Sequence, residues 1–422
     1  MHEMKSAQQI RPQERHVVVV SQDVRDYGGV SSHVWSVVDA IEELGYSTEL
    51  ATIATSWRDS VSLKVLSPKS WWSSIRSVQV NTSGVNRSWT HYGGRFVEFG
   101  WLRYEPRELL TARLEKADLV VVVCGTAQFA AVARNVGVPI VICAATTLDD
   151  ERGASALSSK RWKRYLIALW SLRDRQLEKA ALSSCVALVA QSQISAKLLE
   201  KLCNRPVIVA PMGYRDPQVF DPMGHSARGR THLLSVGRID DPRKRVDVLL
   251  FAYHLVRARN PTAPNLIIAT GSSPTEATLK QIQALGLAPY VKIEVGISDE
   301  RLQDLYAHAF ALLHTADQEG LGLIVLEAMA AGIPVVCTRC GGPEDILREG
   351  IDGLLVERDK PEAVCQATLW ILSNSEAAER MGRSGAMRVR NEWHPRVGRQ
   401  VFQSTLKQVL GDSVGGATTS DR

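Results

Sequence analysis

Short apolar runs bounded by turn residues recur in two series along this chain, divided by a stretch that regular structure cannot cross. The first series begins at His16-Val-Val-Val-Val and continues at Ser47–Ile53, 119–124, 139–143 and 186–190. Unbroken runs of Val, Ile and Leu, with no polar alternation, mark strands buried on both faces, the pattern of parallel sheets covered by helices. Between the first two runs, Val34, Val37, Val38, Ile41 and Leu44 recur at helical spacing over 30–44, and Gly45 closes the helix. Over 204–230, Pro206, Pro211, Gly213, Pro217, Pro222, Gly224 and Gly229 break any regular element, so the linker is placed there. A second series then follows at 231–237, 265–269, Val291–Val295, Ala309–His314 and 333–337. The expectation is α/β: two Rossmann-like parallel lobes, the first over 16–222 and the second over 223–392.

Length agrees with this division, since 422 residues exceed a comfortable single core. With 45% hydrophobic and 23% charged residues the composition is that of an ordinary globular protein. Residues 1–15 are polar and carry no signal-peptide core, and no apolar run reaches the ~18 residues of a spanning helix. The expected location is the cytoplasm, with residues 1–15 and 413–422 flexible. Seven scattered cysteines fit a reducing compartment rather than a disulfide framework. Cys337 and Cys340 form a C-x-x-C, but no second pair or histidine cluster accompanies it, so two small semi-buried residues and no metal are expected. A net charge of +5 without a basic stripe excludes nucleic acid as the expected partner. Residues 151–179 are locally basic, with eight Lys or Arg against three acids. There Lys160, Arg161, Lys163 and Arg164 interleave with Trp162, Tyr165 and Trp170. That mixture suits peripheral contact with an anionic inner-membrane face or an acidic acceptor; a solvated helix face is the plainer reading.

The most informative stretch is Glu319-Gly-Leu-Gly-Leu-Ile-Val-Leu-Glu327, which sets two carboxylates around a glycine-flanked helix start. In a continuous helix they would stand ~12 Å apart along the axis. A hydrolytic acid and nucleophile need about 5 to 5.5 Å, so the spacing argues against glycosidase chemistry. It suits instead a grip on the hydroxyl-rich ends of one elongated ligand, with the helix-start amides at its anionic middle. Arg238 and Lys244, six apart beyond a strand end beside Gly237, form a pair of cations fit for phosphate at the mouth of a parallel sheet, an exposed basic loop being the alternative.

Together these segments resemble glycosyltransferase family 4, whose members are retaining enzymes of GT-B architecture. The block from Glu319 to Glu327 is similar to the family's E-x7-E signature, and the segment from Ser235 through Gly237, Arg238 and Lys244 to its donor phosphate segment. Gly341-Gly342-Pro343-Glu344 and Gly350-Ile-Asp-Gly353 sit where the family has G-G-x-x-E and G-x-x-G. The likeness is specific over 231–360, moderate over 16–50 and 180–222, and absent over 55–115. It implies that Arg238 and Lys244 bind and stabilise the donor diphosphate. Glu319 would contact the donor sugar with the amides of Gly320, Leu321 and Gly322 assisting, Glu327 the ribose hydroxyls, and Gly28 and Gly29 the phosphates from across the cleft. It also implies that a helix over 393–412 crosses back to the first lobe, with a hinge near Asn391. Gly213 resembles the glycine of a family turn, with Met212 departing from the pattern. Many members carry a histidine after the strand that 138–143 matches, where this chain reads Ala-Ala-Thr-Thr-Leu-Asp-Asp. Thr146, Asp149 or His91 are the acceptor-side candidates in its place.

The implied activity is retaining transfer of a hexose-type sugar from a nucleotide diphosphate sugar to a saccharide, lipid-linked or small polyol acceptor. UDP-sugar is favoured, with GDP- and ADP-sugars as alternatives, and no cofactor or metal is required. A nucleotide-sugar epimerase of the same architecture and a donor-binding pseudoenzyme are the alternatives.

Overall fold

The computed structural model describes residues 15–24, 29–56, 58–63, 75–81, 87–98, 100–156, 161–213 and 229–415, without the side chains of 100–101, 153–156, 161–171 and 412–415. The first lobe contains β1 (His16–Gln22), α1 (Gly29–Glu42), β2 (Ser47–Ile53), β3 (Ser77–Asn81), β4 (Ser88–Tyr92), α2 (Gly100–Arg103), α3 (Glu108–Leu114) and β5 (Leu119–Thr126). It continues through β6 (Ile140–Thr146), α4 (Leu148–Ala156), α5 (Arg161–Ser184), β7 (Ala187–Ala190), α6 (Gln193–Cys203) and β8 (Ile208–Val209). The strands form one sheet ordered β3-β4-β2-β1-β5-β6-β7-β8. Every pairing is parallel except the edge hairpin of β3 with β4. That hairpin lies in 55–115, where the sequence pattern offered no element. All five residues of β3 are at least partly exposed, so burial imposed no pattern to read.

The second lobe holds β9 (His232–Val236), α7 (Val246–Arg259), β10 (Asn265–Thr270), α8 (Glu276–Ala284), β11 (Val291–Val295), α9 (Asp299–Ala307) and β12 (Ala309–His314). Then come α10 (Leu323–Ala330), β13 (Val335–Thr338), α11 (Gly342–Ile346), β14 (Leu354–Val356), α12 (Pro361–Ser373) and α13 (Ser375–Glu392). Its sheet, ordered β11-β10-β9-β12-β13-β14, is parallel throughout.

Alternating residues of β1 show why these runs carry no polar positions. Val17 and Val19 enter one hydrophobic cluster and Val18 and Val20 another, so the strand is buried on both faces. The last helix, α14 (Pro395–Gly415), completes the cluster around Val17. Phe402, Leu406 and Leu410 are buried there, and Gln403 donates to the Ala40 carbonyl at 2.9 Å. Gly398 packs so tightly that an added Cβ would lie 1.8 Å from the Pro211 carbonyl oxygen. The helix therefore crosses back to the first lobe. It begins at Pro395 rather than 393 and extends three residues past 412, so 413–415 are helical and not a loose tail; Val397 faces outward. A break at 393–394, next to Asn391, separates it from α13, and Trp393 stays with the second-lobe core.

One boundary expectation changes. The punctuated stretch 204–230 still contributes Ile208–Val209, because β8 pairs with β7 and finishes the first sheet. Residues 1–14, 416–422 and the linker centre 214–228 lie outside the described residues, as do Gly28 and Lys160.

Candidate functional site

The two lobes meet at the carboxyl ends of their strands. Ser192 caps α6 by accepting the Ser195 N–H at 3.1 Å, and its hydroxyl donates to the Gly320 carbonyl of the second lobe at 2.7 Å. Ser195 Oγ donates to the Ala145 carbonyl at 2.6 Å. The Ile194 N–H, at the start of α6, donates to Asp345 Oδ2 at 2.9 Å, and Arg243 Nη1 reaches Glu151 Oε1 at 3.1 Å. Gly320 is wedged against the end of β6, where an added Cβ would lie 2.9 Å from the Ala145 oxygen. Of these eight contact residues only Gly320 is a candidate site residue in the sequence, because loop hydroxyls, carbonyls and surface charges have no distinguishing pattern before the chain folds.

Within the second lobe, the basic loop after β9 is fixed from several sides. Asp241 accepts from the Arg243 N–H at 3.0 Å, Thr315 Oγ1 donates to the Lys244 carbonyl at 3.1 Å, and Asp317 N–H donates to the Arg243 carbonyl at 2.8 Å. Arg245, in the left-handed conformation with φ 47°, is held by Asp317 at 3.0 Å and Asp359 at 2.7 Å. This loop presents the Lys244 ammonium to Glu319, with which it forms an ion pair. Burial opposes the charge on Glu319, but Lys244 and His314 hold its carboxyl well below the ordinary carboxylate range. His314 Nε2 stands 3.2 Å from Glu319 Oε1.

Arg238 takes a different place. Its side chain is 54% exposed and its Nη2 donates to Asp241 at 2.6 Å, so Lys244 and Glu319 are brought together while Arg238 stands apart from their ion pair. Gly237 lies beside Lys244, whose Cε would be 3.7 Å from a Cβ there. Gly322 opens α10 with φ 95°, a left-handed conformation that glycine adopts without a Cβ clash. Leu321 is buried next to it, and Glu327, one turn into α10, accepts from the Tyr306 hydroxyl at 3.0 Å. Only the second half of the interval between the two glutamates is helical, because α10 starts at Leu323. Across the interface, Gly29 faces that start: an added Cβ would lie 3.6 Å from Leu323 Cδ1.

The acceptor-side candidates do not converge. Thr146, buried at the end of β6, donates to Asp150 at 2.8 Å. Asp149 is exposed and pairs with Arg175 at 2.8 Å. His91 is buried with both ring nitrogens engaged, by Thr52 Oγ1 and Asp59 Oδ2, each at 2.8 Å. Gly213 packs against the His33 backbone with φ 93°, as a turn would.

One grouping departs from the sequence reading. Parallel pairing sets His314 beside Cys337, so the C-x-x-C gains the histidine it lacked in the sequence. Cys337 and Cys340 are buried; their interaction, with His314 close by, lowers the Cys340 pKa against the effect of burial, and burial raises that of Cys337.

Residues 224–388, which include the ion pair and both glutamates, match the family described as glycosyl transferases group 1. That match spans nearly the whole second lobe. A D-inositol 3-phosphate glycosyltransferase of Streptomyces griseus is 34% identical over 36% of this chain and 34% of its own length. This chain spans between about a third and three fifths of the curated relatives it matches, reaching 61% for a mannosyltransferase of Mycolicibacterium hassiacum. Among solved structures, sucrose-phosphate synthase from Thermosynechococcus elongatus superposes with a TM-score of 0.70 at 18% identity, over 94% of this chain and 100% of that one. The Anabaena protein HepE, solved with UDP-glucose, gives 0.67 at 15% identity over 93% and 99%. At such identities the likeness establishes the fold, and the fold is GT-B. No helix among the described residues is long and apolar enough to cross a membrane.

Proposed function

We propose that this protein is a retaining glycosyltransferase of family 4 that moves a hexose-type sugar from a nucleotide diphosphate sugar, with the donor lying between the Lys244–Glu319 pair and Gly29. The carrying observation is a cation and a carboxylate held as one unit beside the glycine-opened start of α10, with the glycine of the opposite lobe facing it. An ammonium can neutralise the charge that develops on a departing diphosphate, and the α10 amides add to the same field. Glu319, kept ionised, is an acceptor for sugar hydroxyls. Glu327 takes the ribose hydroxyls, and Arg238 swings from Asp241 to the phosphates when they arrive.

UDP is the favoured nucleotide, and HepE was solved with a UDP-sugar. No cofactor or metal is needed for the transfer. The acceptor is a saccharide, a lipid-linked saccharide or a small polyol; the Streptomyces relative named for D-inositol 3-phosphate belongs to the last class. Thr146 is the acceptor-side group favoured, since it adjoins Ala145 at the lobe contact. The basic helix α5 adds a peripheral anionic-membrane contact in the cytoplasm, checked by co-sedimentation with anionic vesicles.

Thermal-shift measurement with UDP, GDP, ADP and their sugars tests the reading. Stabilisation by one nucleotide series, lost in Lys244→Ala, is expected; no shift in any series sinks the donor site. An isomerised nucleotide sugar formed without acceptor would mark an epimerase instead.

A further inference from the structure

We propose that His314, Cys337, Cys340 and Glu319 form a binding site for a single zinc ion beside the donor site. His314 ends β12, Cys337 is its partner on the adjacent parallel strand, and Cys340 follows three residues on. One ligand atom from each of these three side chains lies within 4.8 Å of the others. Two thiolates and an imidazole around tetrahedral zinc stand ~3.4 to 3.8 Å apart, from Zn–S and Zn–N bonds of about 2.3 and 2.0 Å, so the side chains need close by only about an ångström.

Glu319 supplies the fourth ligand. Its carboxylate already lies 3.2 Å from His314 Nε2, and its backbone is fastened to the same loop, the Glu319 N–H donating to the Cys340 carbonyl at 2.7 Å and the Gly342 N–H to the Glu319 carbonyl at 2.9 Å. The imidazole and both thiols are otherwise closed off from water, whereas Glu319 is 17% exposed and gives the ion its way in. His314 Nε2 is buried and, although 3.2 Å from Glu319 Oε1, has no well-directed hydrogen-bond partner, so a metal between them would satisfy both atoms. Charge also favours the cation. Zn²⁺ with two thiolates and one carboxylate carries one net negative charge, which the Lys244 ammonium offsets. Soft sulfur with one imidazole selects zinc over magnesium or calcium.

Binding exchanges two thiol protons for two Zn–S bonds, with the protons passing to water and no change in oxidation state. The ion would draw Glu319 from Lys244, so zinc and donor would compete. This last consequence rests on the donor reading above; the metal site does not.

The test uses the full reduced chain, metal-free, titrated with Co²⁺ as probe. A thiolate-to-cobalt charge-transfer band and intense tetrahedral d–d bands should saturate at one equivalent and vanish when Zn²⁺ is added. Cys337→Ser and Cys340→Ser should each weaken retention by ~10-fold or more. X-ray absorption of the zinc-loaded wild type needs no variant to fold and should show two sulfur and two lighter ligands. The absence of the charge-transfer band, an all-oxygen/nitrogen shell, or a band unchanged in both serine variants overturns the site. A cobalt spectrum with undiminished nucleotide affinity overturns the role of Glu319. Failure of the metal-free chain to bind any nucleotide instead defeats the donor reading and leaves the cobalt result standing.

Discussion

Lys244 and Glu319 stand 75 positions apart in the sequence and form an ion pair that is about four-fifths buried. Each belongs to a separate loop, and Thr315 and the Cys340 carbonyl hold those loops in register. In Lys244→Ala the carboxylate loses its cation and a donor diphosphate would lose a charge-assisted contact, about 1.5–3 kcal/mol. Nucleotide affinity should fall ~10- to 100-fold in titration calorimetry, with a lower Tm as well. Unchanged affinity would remove Lys244 from the site.

Gly320 tests the lobe contact independently of chemistry. In Gly320→Ala the new methyl meets the Ala145 oxygen at 2.9 Å, so the lobes must part to admit it. Turnover should drop at least tenfold while the midpoint of second-lobe unfolding moves little. A radius of gyration equal to wild type in small-angle scattering, with full turnover, would show that the contact is dispensable.

Ser192→Ala removes a hydroxyl donor that spans the lobes at 2.7 Å. A hydrogen bond of this kind contributes about 1 kcal/mol, so the closed arrangement should lose roughly fivefold in population. The expected signs are a raised KM for donor and a stability loss of about 1 kcal/mol, because the same hydroxyl caps α6 by accepting the Ser195 N–H.

Phe402→Ala should report on the first lobe although residue 402 follows the second in sequence. The ring is buried with Val17, Val37 and Ile41, and such truncations cost about 3–5 kcal/mol. Hydrogen exchange should accelerate in β1 and α1 before β9 or β12; the reverse order would contradict the crossing.

Glu178 gives a pH dependence. Burial raises its pKa from 4.5 to about 7, while its Oε1 accepts the Leu148 N–H at 2.9 Å. The folded protein therefore holds a proton that the unfolded chain releases above pH 4.5, so this group's contribution to stability falls between pH 4.5 and about 7 and is level above. Glu178→Gln keeps the acceptor oxygen and lacks the charge. It should be more stable than wild type at pH 8, by about 1–3 kcal/mol in urea denaturation, and should lack that decline.

The sequence by itself determined both parallel sheets, because strands buried on two faces must be apolar at every position, as Val17 to Val20 show. It also determined the loop-to-helix turn at Gly322, where backbone conformation restricts residue type. The crossing of the last helix came from family resemblance, and its buried spacing at Phe402, Leu406 and Leu410 agrees. Tertiary structure alone decided the edge hairpin of β3 and β4, because β3 has no buried residue and takes its place only by pairing with β4. It alone decided that Arg238 turns to Asp241 while Lys244 meets Glu319, and that His91 is spent between Thr52 and Asp59. The grouping of His314 with Cys337 and Cys340 is of the same kind. Its members are neighbours only because two parallel strands pair in one register, and register is a property of the folded sheet.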